Sequence, residues 1–275
     1  MKTVCPVCPH HCHLEEGQRG FCNARINDHG KVICDNYGKI TSMALDPIEK
    51  KPLNRFMPGS RILSIGSFGC NLRCPFCQNH TISMSCGENQ SIMPVTPMQL
   101  TQQALSLRES GNIGVAYTYN EPLIGFEYIL DSAKLVHGEG MKNVIVSNGY
   151  IEEEPLLTLL PFIDAMNIDL KGFTETFYQK LRGDLETVKR TIRIAAQHTH
   201  VEVTTLIVPD ENDSEAEIEE LAAWLASVDE KIPLHLSRFF PLYAYANKTA
   251  TSVNQIYRLA DVARKHLRYV YTGNC

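Results

Sequence analysis

The sequence has no apolar stretch that approaches the roughly 20 residues needed to span a bilayer, and its first residues lack the apolar core of a secretion signal. Its net charge of −5 shows no basic excess, which argues against nucleic acid as a partner. Internal repeats and low-complexity tracts are absent too. These absences predict a cytoplasmic protein that binds neither membrane nor nucleic acid, and 44% hydrophobic residues suffice for a globular core.

Cysteine, in contrast, is abundant, with ten residues in a chain of 275. In reducing conditions so many thiols indicate metal sites rather than disulfides. Cys70, Cys74 and Cys77 have the spacing C-x3-C-x2-C. Iron–sulfur clusters that only carry electrons usually have four cysteine ligands, so three thiolates would leave one iron open to a substrate or cofactor. The alternatives are structural cysteines or a zinc site without its fourth ligand.

A second group of cysteines, Cys5, Cys8, Cys12 and Cys22, has the spacing C-x2-C-x3-C-x9-C. Four thiolates suit tetrahedral zinc and an auxiliary [4Fe–4S] cluster equally well, and histidines between them could replace one ligand. Four unliganded thiols are disfavoured, because so short and polar a segment needs a staple to fold. The sequence assigns no role to Cys34, Cys86 and Cys275.

The chain divides into a Cys-rich segment with its connector, residues 1–60, and a larger region, residues 61–275. Three prolines predict that residues 46–59 form an extended connector. Further on, short apolar runs alternate with helical patterns, which predicts βαβ units and a parallel sheet. Six or so units are too few for an eight-unit barrel, so we expect an α/β fold, a partial (β/α)6 barrel. The predicted strands are 61–66, 113–118, 143–147, 165–169, 200–208, 234–239 and a short one at 269–271.

Polar residues follow four successive predicted strands. The first strand leads into the cysteine loop, and the next three end near Glu121, Asn148 and Asp169. In parallel α/β sheets, ligands bind beyond the carboxyl ends of the strands. We therefore expect these side chains to meet at one mouth of the barrel.

Three runs carry a family resemblance: CPHHC at 8–12 with GFC at 20–22, DPIEKKPL at 46–53, and GCNLRCPFCQN at 69–79. They resemble the radical S-adenosylmethionine (SAM) superfamily, in particular AmmeMemoRadiSam system enzymes and, more distantly, pyruvate formate-lyase activating enzymes. The resemblance implies a [4Fe–4S] cluster that cleaves SAM to methionine and a 5′-deoxyadenosyl radical, which abstracts hydrogen from a substrate. It also implies an electron donor such as flavodoxin or ferredoxin. The substrate, whether protein, peptide or small molecule, stays open.

The resemblance also implies roles for residues of the first two loops. The cysteines of the C-x3-C-x2-C run would be the cluster ligands, Phe76 would lie beside adenine, and Asn79 would help to place SAM. Glu121 matches a Gly-Gly-Glu-Pro run that meets the SAM amino group, which suits a carboxylate. Asn120 stands where that run has glycine, so its contact is undefined.

Further roles are implied at the later strand ends. Ser147 and Asn148 would lie near the ribose or the methionine part of SAM. Lys171 would meet the SAM carboxylate and Asp169 would help to bind a monovalent cation; the alternative is a surface ion pair of little energetic value. Arg238 could close the cofactor pocket, hold a substrate carboxylate or form a salt bridge. A competing interpretation of the whole chain is a zinc-stapled, non-catalytic binding module.

Overall fold

The first 47 residues contain six short strands and no helix. Helical periodicity is weak in this part of the sequence, and β1 pairs with β2, and β3 with β4, as antiparallel hairpins. The strands are β1 (Thr3–Val4), β2 (His13–Leu14), β3 (Arg25–Asp28), β4 (Lys31–Cys34), β5 (Lys39–Ile40) and β6 (Ser42–Pro47).

Strands and helices then alternate as predicted. The computed structural model describes residues 1–275, and its remaining strands run from β7 to β14. They are β7 (Arg61–Gly66), β8 (Met93–Pro94), β9 (Asn112–Tyr117), β10 (Lys142–Ser147), β11 (Ala165–Asp169), β12 (His200–Ile207), β13 (Leu234–Arg238) and β14 (Val270–Gly273).

The main sheet has the strand order β14-β13-β12-β11-β10-β9-β7-β6. Seven of its strands, β7 and β9 to β14, pair in parallel, and β6 adds an antiparallel edge beside β7. The two edge strands, β6 and β14, do not pair with each other, so the barrel is open. Six strand–helix units and a final strand confirm the predicted α/β fold, a partial (β/α)6 barrel.

Most long helices begin where a side chain caps the first turn. The side chains of Thr96, Asp184, Ser214 and Ser252 each accept a hydrogen bond from the backbone N–H three residues later, which satisfies a donor that the helix leaves unpaired. The helices are α1 (His80–Ser83), α2 (Pro97–Ser106), α3 (Phe126–Gly138), α4 (Glu153–Leu159), α5 (Glu175–Lys180), α6 (Leu185–Ala196), α7 (Glu215–Asp229) and α8 (Val253–Ala263).

The helix α2 ends at Ser106 and continues as a 3-10 turn, which stops at Gly111 in the left-handed region (φ +83°). One local prediction was wrong. The connector predicted as extended contains a 3-10 turn at Ile48–Lys50, closed by a hydrogen bond from Lys51 N to Ile48 O. Pro47 precedes this turn with φ −56°, so the proline starts the turn instead of preventing it.

The N-terminal segment packs against the barrel beside the loop that follows β7. Cys70 N donates to Cys22 O at 3.1 Å, and Asn36 Nδ2 donates to Phe68 O at 2.9 Å. Arg25 forms a two-point ion pair with Glu127 at the start of α3, with N···O distances of 2.6 and 2.9 Å. These contacts place the Cys-rich segment next to the predicted cluster loop. No helix of the molecule combines the length and the apolar character needed to cross a membrane.

Candidate active site at the mouth of the barrel

A cavity of about 690 Å³ lies where the loops after β7, β9, β10 and β11 meet. Its volume falls in the range of small-molecule sites. Eleven of the twelve side chains predicted to bind cluster or SAM line this cavity. They are Cys70, Cys74, Phe76, Cys77, Asn79, Asn120, Glu121, Ser147, Asn148, Asp169 and Lys171.

The three cysteines of the loop after β7 face the same cavity with their sulfurs spread apart. Cys77 N donates to Cys74 O at 3.2 Å, and Cys70 Sγ accepts from Leu72 N at 3.4 Å. The three sulfurs do not all lie within 4.8 Å of one another, whereas four sulfurs around one zinc ion stand about 3.8 Å apart. This spacing is too wide for a single ion and suits a larger, multi-iron group.

Burial favours the protonated form of two of these thiols, Cys70 and Cys74. It raises the pKa of Cys70 well above its usual value and that of Cys74 to about 12, although the nearby Lys171 ammonium lowers the latter. Thiolate is the form that binds metal, and coordination deprotonates a thiol outright. The site is therefore built to release protons when it takes up its metal.

Glu121 ties the ends of β9 and β10 together. Its carboxylate accepts hydrogen bonds from Leu123 N (2.9 Å), Ser147 Oγ (2.8 Å) and Asn148 N (2.8 Å), and the side chain is 3% exposed. Burial raises its pKa to about 7 despite these three donors. An ionised carboxylate can accept about four hydrogen bonds, so one acceptor position remains for a cationic group in the cavity.

Asn120 braces the base of the cysteine loop. Its side-chain oxygen accepts from Ser67 N at 2.9 Å, and its Nδ2 donates to Phe68 O and Gly69 O, each at 3.1 Å. The contact that the sequence left undefined is thus a link between the loops after β7 and β9. A glycine at this position could not make it.

Two further asparagines hold the cavity wall. Asn148 Nδ2 donates to Asn71 Oδ1 at 2.9 Å and lies 3.7 Å from Cys70 Sγ. Asn79 Nδ2 donates to Tyr119 O at 2.7 Å. Amides from the loops after β7 and β10 thereby fix the positions of the cysteines relative to the rest of the mouth.

Asp169 and Lys171 form an ion pair on the cavity wall, with 2.7 Å between Lys171 Nζ and Asp169 Oδ2. Both side chains are partly buried, at 28% and 17% exposed. Burial alone would lower the pKa of Lys171, but the neighbouring Asp169 carboxylate raises it. The ammonium is therefore charged at neutral pH and sits between an acid and the cluster loop.

Phe76 lines the cavity as predicted, whereas Arg238 does not. Phe76 is buried at the cavity and stacks on Phe177, with 6.2 Å between ring centroids. Arg238 does not line the cavity: its Nε donates to Thr251 O at 2.5 Å, and its guanidinium lies 4.7 Å from the Phe240 ring centroid. Successive side chains of a strand point to opposite faces, and in β13 the cavity side belongs to His235 and Ser237. The prediction that Arg238 closes the cofactor pocket was therefore wrong.

No site role was predicted for several other residues that line the cavity. Tyr119 adopts a left-handed conformation (φ +70°) and donates its hydroxyl to Asp46 Oδ2 at 2.7 Å. Lys51 also binds Asp46, at 2.9 Å, and its side chain is 4% exposed. Positive φ at a tyrosine and a buried lysine are properties of the folded chain, which no spacing rule detects. The final strand adds Tyr271, Thr272, Gly273 and the following Asn274 to the wall.

Comparison with known proteins adds independent information. The family model described as "Radical SAM superfamily" matches residues 64–225. The chain belongs to the radical SAM superfamily. An uncharacterized protein of Methanocaldococcus jannaschii is 39% identical over 99% of this chain and 81% of its own length. The pyruvate formate-lyase-activating enzyme of Clostridium pasteurianum is 26% identical over 70% of this chain and 80% of its own length.

Solved structures support the fold of this radical SAM protein. SuiB of Streptococcus suis, bound to S-adenosylmethionine, matches 78% of this chain and 52% of its own length with a TM-score of 0.60 and 14% identity. A domain of the pyruvate-formate lyase-activating enzyme from Bacteroides vulgatus matches 58% of this chain and 99% of its own, with a TM-score of 0.52 and 19% identity. At such identities the likeness concerns the fold alone.

Membership of the radical SAM superfamily makes the protein an enzyme of this type and implies a [4Fe–4S] cluster and SAM as its cofactors. The three spread thiols of the cysteine loop fit such a cluster. The carboxylate of Glu121 and the ammonium of Lys171 carry the charges that would complement the amino and carboxylate groups of SAM. The family implies the cofactors, and eleven of the residues predicted to bind them line the cavity.

The N-terminal cysteines lie close to one another and next to the cysteine loop that follows β7. Cys5 N donates to Cys12 O at 3.0 Å, and Phe21 N donates to Cys12 Sγ at 3.4 Å. Burial raises the pKa of Cys5 and Cys22, and that of Cys8 to about 12. Like the first set, these thiols are arranged as potential metal ligands.

Proposed function

We propose that the protein reductively cleaves SAM and uses the resulting 5′-deoxyadenosyl radical to abstract a hydrogen atom from a substrate. When bound, the reduced cluster supplies the single electron that splits the sulfonium. The observation that carries the proposal is the convergence of Cys70, Cys74 and Cys77 on the same cavity as the polar ends of β9, β10 and β11. Residues 61–275 would carry this chemistry, and residues 1–60 would add the N-terminal metal group.

The chain's own residues would bind and orient SAM. Lys171, held by Asp169, would meet the SAM carboxylate through a charge-assisted hydrogen bond. Glu121 would offer its remaining acceptor position to the amino group, while Ser147 and Asn148 keep its carboxylate in place. Phe76 would lie against adenine, because its buried ring forms an apolar part of the wall.

The relatives bear on the class of substrate. Two relatives are activating enzymes: the Clostridium pasteurianum protein named above, and the (2S)-3-sulfopropanediol dehydratase activating enzyme of Klebsiella oxytoca, 24% identical over 41% of this chain. This likeness supports a glycyl radical on a protein partner as one outcome, beside a peptide or small-molecule substrate. A flavodoxin or ferredoxin would deliver the electron.

The experiment is anaerobic reconstitution followed by addition of dithionite and SAM. We expect the wild type to release 5′-deoxyadenosine and methionine, and Cys74→Ala to release neither. Cys86→Ala is the matched control, since Cys86 lies outside the cavity wall, and it should behave as the wild type. If the reconstituted wild type released no 5′-deoxyadenosine, the proposal would be refuted and a non-catalytic, zinc-stapled module favoured. Release by Cys74→Ala at the wild-type rate would refute the role of Cys74 as a cluster ligand.

A further inference from the structure

Four cysteines of the N-terminal segment gather at a place that the proposed reaction does not use. Cys5 and Cys12 face each other across the β1–β2 hairpin, joined by the hydrogen bond from Cys5 N to Cys12 O. Cys8 lies in the turn between these two strands, and Cys22 follows the loop whose Phe21 N reaches Cys12 Sγ. Cys5, Cys8 and Cys22 are 5%, 7% and 6% exposed, so the thiols point into the protein.

The spacing of these sulfurs distinguishes between the two metal groups that four cysteines can bind, a single zinc ion and a [4Fe–4S] cluster. No three of them lie within 4.8 Å of one another. Zinc–sulfur bonds of 2.3 Å in a tetrahedron put the sulfurs about 3.8 Å apart, so a zinc site would bring at least three within that limit. The four thiols are gathered but spread, as are Cys70, Cys74 and Cys77 in the cluster loop.

The buried side chain of Arg25 lies next to these four cysteines. Arg25 is 3% exposed, and its two terminal nitrogens bind Glu127. Its Nε is buried without any hydrogen-bond partner. The guanidinium lies beside the Cys5 thiol, close enough to interact with it. A buried N–H without an acceptor is rare, and the sulfurs of an anionic metal–thiolate group are acceptors of the required charge.

We propose that Cys5, Cys8, Cys12 and Cys22 hold a closed [4Fe–4S] cluster and that Arg25 Nε–H donates to its sulfur. Four cysteine ligands leave no iron open, which is the ligand set of clusters that carry electrons. The hydrogen bond of 3.1 Å from Cys70 N to Cys22 O places this cluster directly against the loop of the first one. The inference does not depend on SAM cleavage, since it concerns the metal content of the N-terminal segment.

The direct test removes the first cluster and asks what remains. The triple variant Cys70→Ala, Cys74→Ala, Cys77→Ala is purified and reconstituted anaerobically with iron and sulfide, with zinc also present. We expect about four iron and four sulfide per chain, and an electron paramagnetic resonance signal after dithionite reduction. Stoichiometric zinc without sulfide, or a metal-free chain, would overturn the proposal.

Wild-type protein gives the same answer if the triple variant does not fold. About eight iron per chain supports the proposal, and four iron with one zinc refutes it. Cys8→Ala should lower the iron content from about eight to four. Cys34→Ala is the matched control, because Cys34 is a half-buried cysteine outside this set that donates to Asn36 Oδ1 at 2.9 Å; it should keep all eight. Equal loss in both variants would contradict the assignment.

Arg25 is tested as a positioning residue by redox titration of the triple variant. Arg25→Gln removes a positive charge beside the cluster, and the reduced cluster is the more negative state. We therefore expect the midpoint potential to fall, and Arg25→Lys to restore it in part. A purely structural role would change the yield of loaded protein and leave the potential unmoved, and that outcome would refute the contact.

Discussion

At the residue scale, one buried carboxylate joins the connector to the barrel floor. Glu202 accepts from His235 Nε2 (2.6 Å), His200 Nε2 (3.0 Å) and the backbone N–H groups of Asn54 (3.0 Å) and Arg55 (2.7 Å). Burial alone would raise its pKa, but these four donors lower it to about 2. The folded state thus stabilises the ionised form, and folding stability depends on pH through this residue.

We expect Glu202→Gln to lower the free energy of unfolding by ~3 kcal/mol at pH 7, since each pKa unit is worth about 1.36 kcal/mol. A depressed pKa contributes stability above the unfolded value and loses it as pH falls. The difference between wild type and variant should therefore shrink between pH 4.5 and 2. Urea denaturation across this range measures it. Glu88→Gln, at an exposed position, is the control; a pH-independent difference would contradict the assignment.

A second residue-scale prediction concerns Asn120, whose side chain links Ser67, Phe68 and Gly69 to the loop after β9. Asn120→Ala should leave the cysteines able to take up iron but loosen their position. We expect the rate of 5′-deoxyadenosine release to fall by about 10- to 100-fold, since small misplacements cost this much. Asn254→Ala, on the exposed side of α8, is the control. An unchanged rate would show that the brace is dispensable.

At the element scale, the close pairing of β9 and β10 positions the Glu121 and Ser147 loops. Gly114 in β9 has no room for a Cβ, because it would collide with the backbone of Lys142 in β10. Gly114→Ala should therefore destabilise the protein by ~1–3 kcal/mol.

Gly138→Ala is the matched substitution. Gly138 lies in the last turn of α3 with open space around it, so alanine should stabilise by about 0.4–1 kcal/mol through the unfolded state. Denaturant unfolding of both variants compares the two signs. Destabilisation by Gly138→Ala or tolerance of Gly114→Ala would contradict this packing.

At the scale of the whole molecule, the two regions should differ in their dependence on metal. The barrel has a large continuous core, whereas the six strands of the first 47 residues are short. Metal binding contributes folding free energy to small sites of this kind. We expect limited proteolysis of the metal-free protein to cut first within residues 1–40, and reconstitution to protect that segment. Mass spectrometry of the fragments locates the cuts, and first cuts within the barrel would contradict the prediction.

The residue pattern was enough to predict the family and the partial (β/α)6 barrel, which are both confirmed, and to predict three cysteines as cluster ligands. Such features depend on local spacing: C-x3-C-x2-C places three thiols on one loop, and alternating strand and helix patterns dictate a parallel sheet whose carboxyl ends converge.

The contacts between those loops could not be predicted from the sequence and are visible only in the folded chain. In the sequence Arg238 lies at the end of a strand, as other candidate site residues do. The alternation of side chains along β13 turns it toward Thr251 and away from the cavity. The left-handed Tyr119 donates to Asp46, which is 73 residues away along the chain. The burial of Lys51 and of the unpaired Arg25 Nε likewise depends on the surrounding fold. Spacing patterns predict strands, helices and local motifs, because these depend on the regular repeat of the backbone. The burial and pairing of a polar group depend on contacts that exist only once the whole chain has folded.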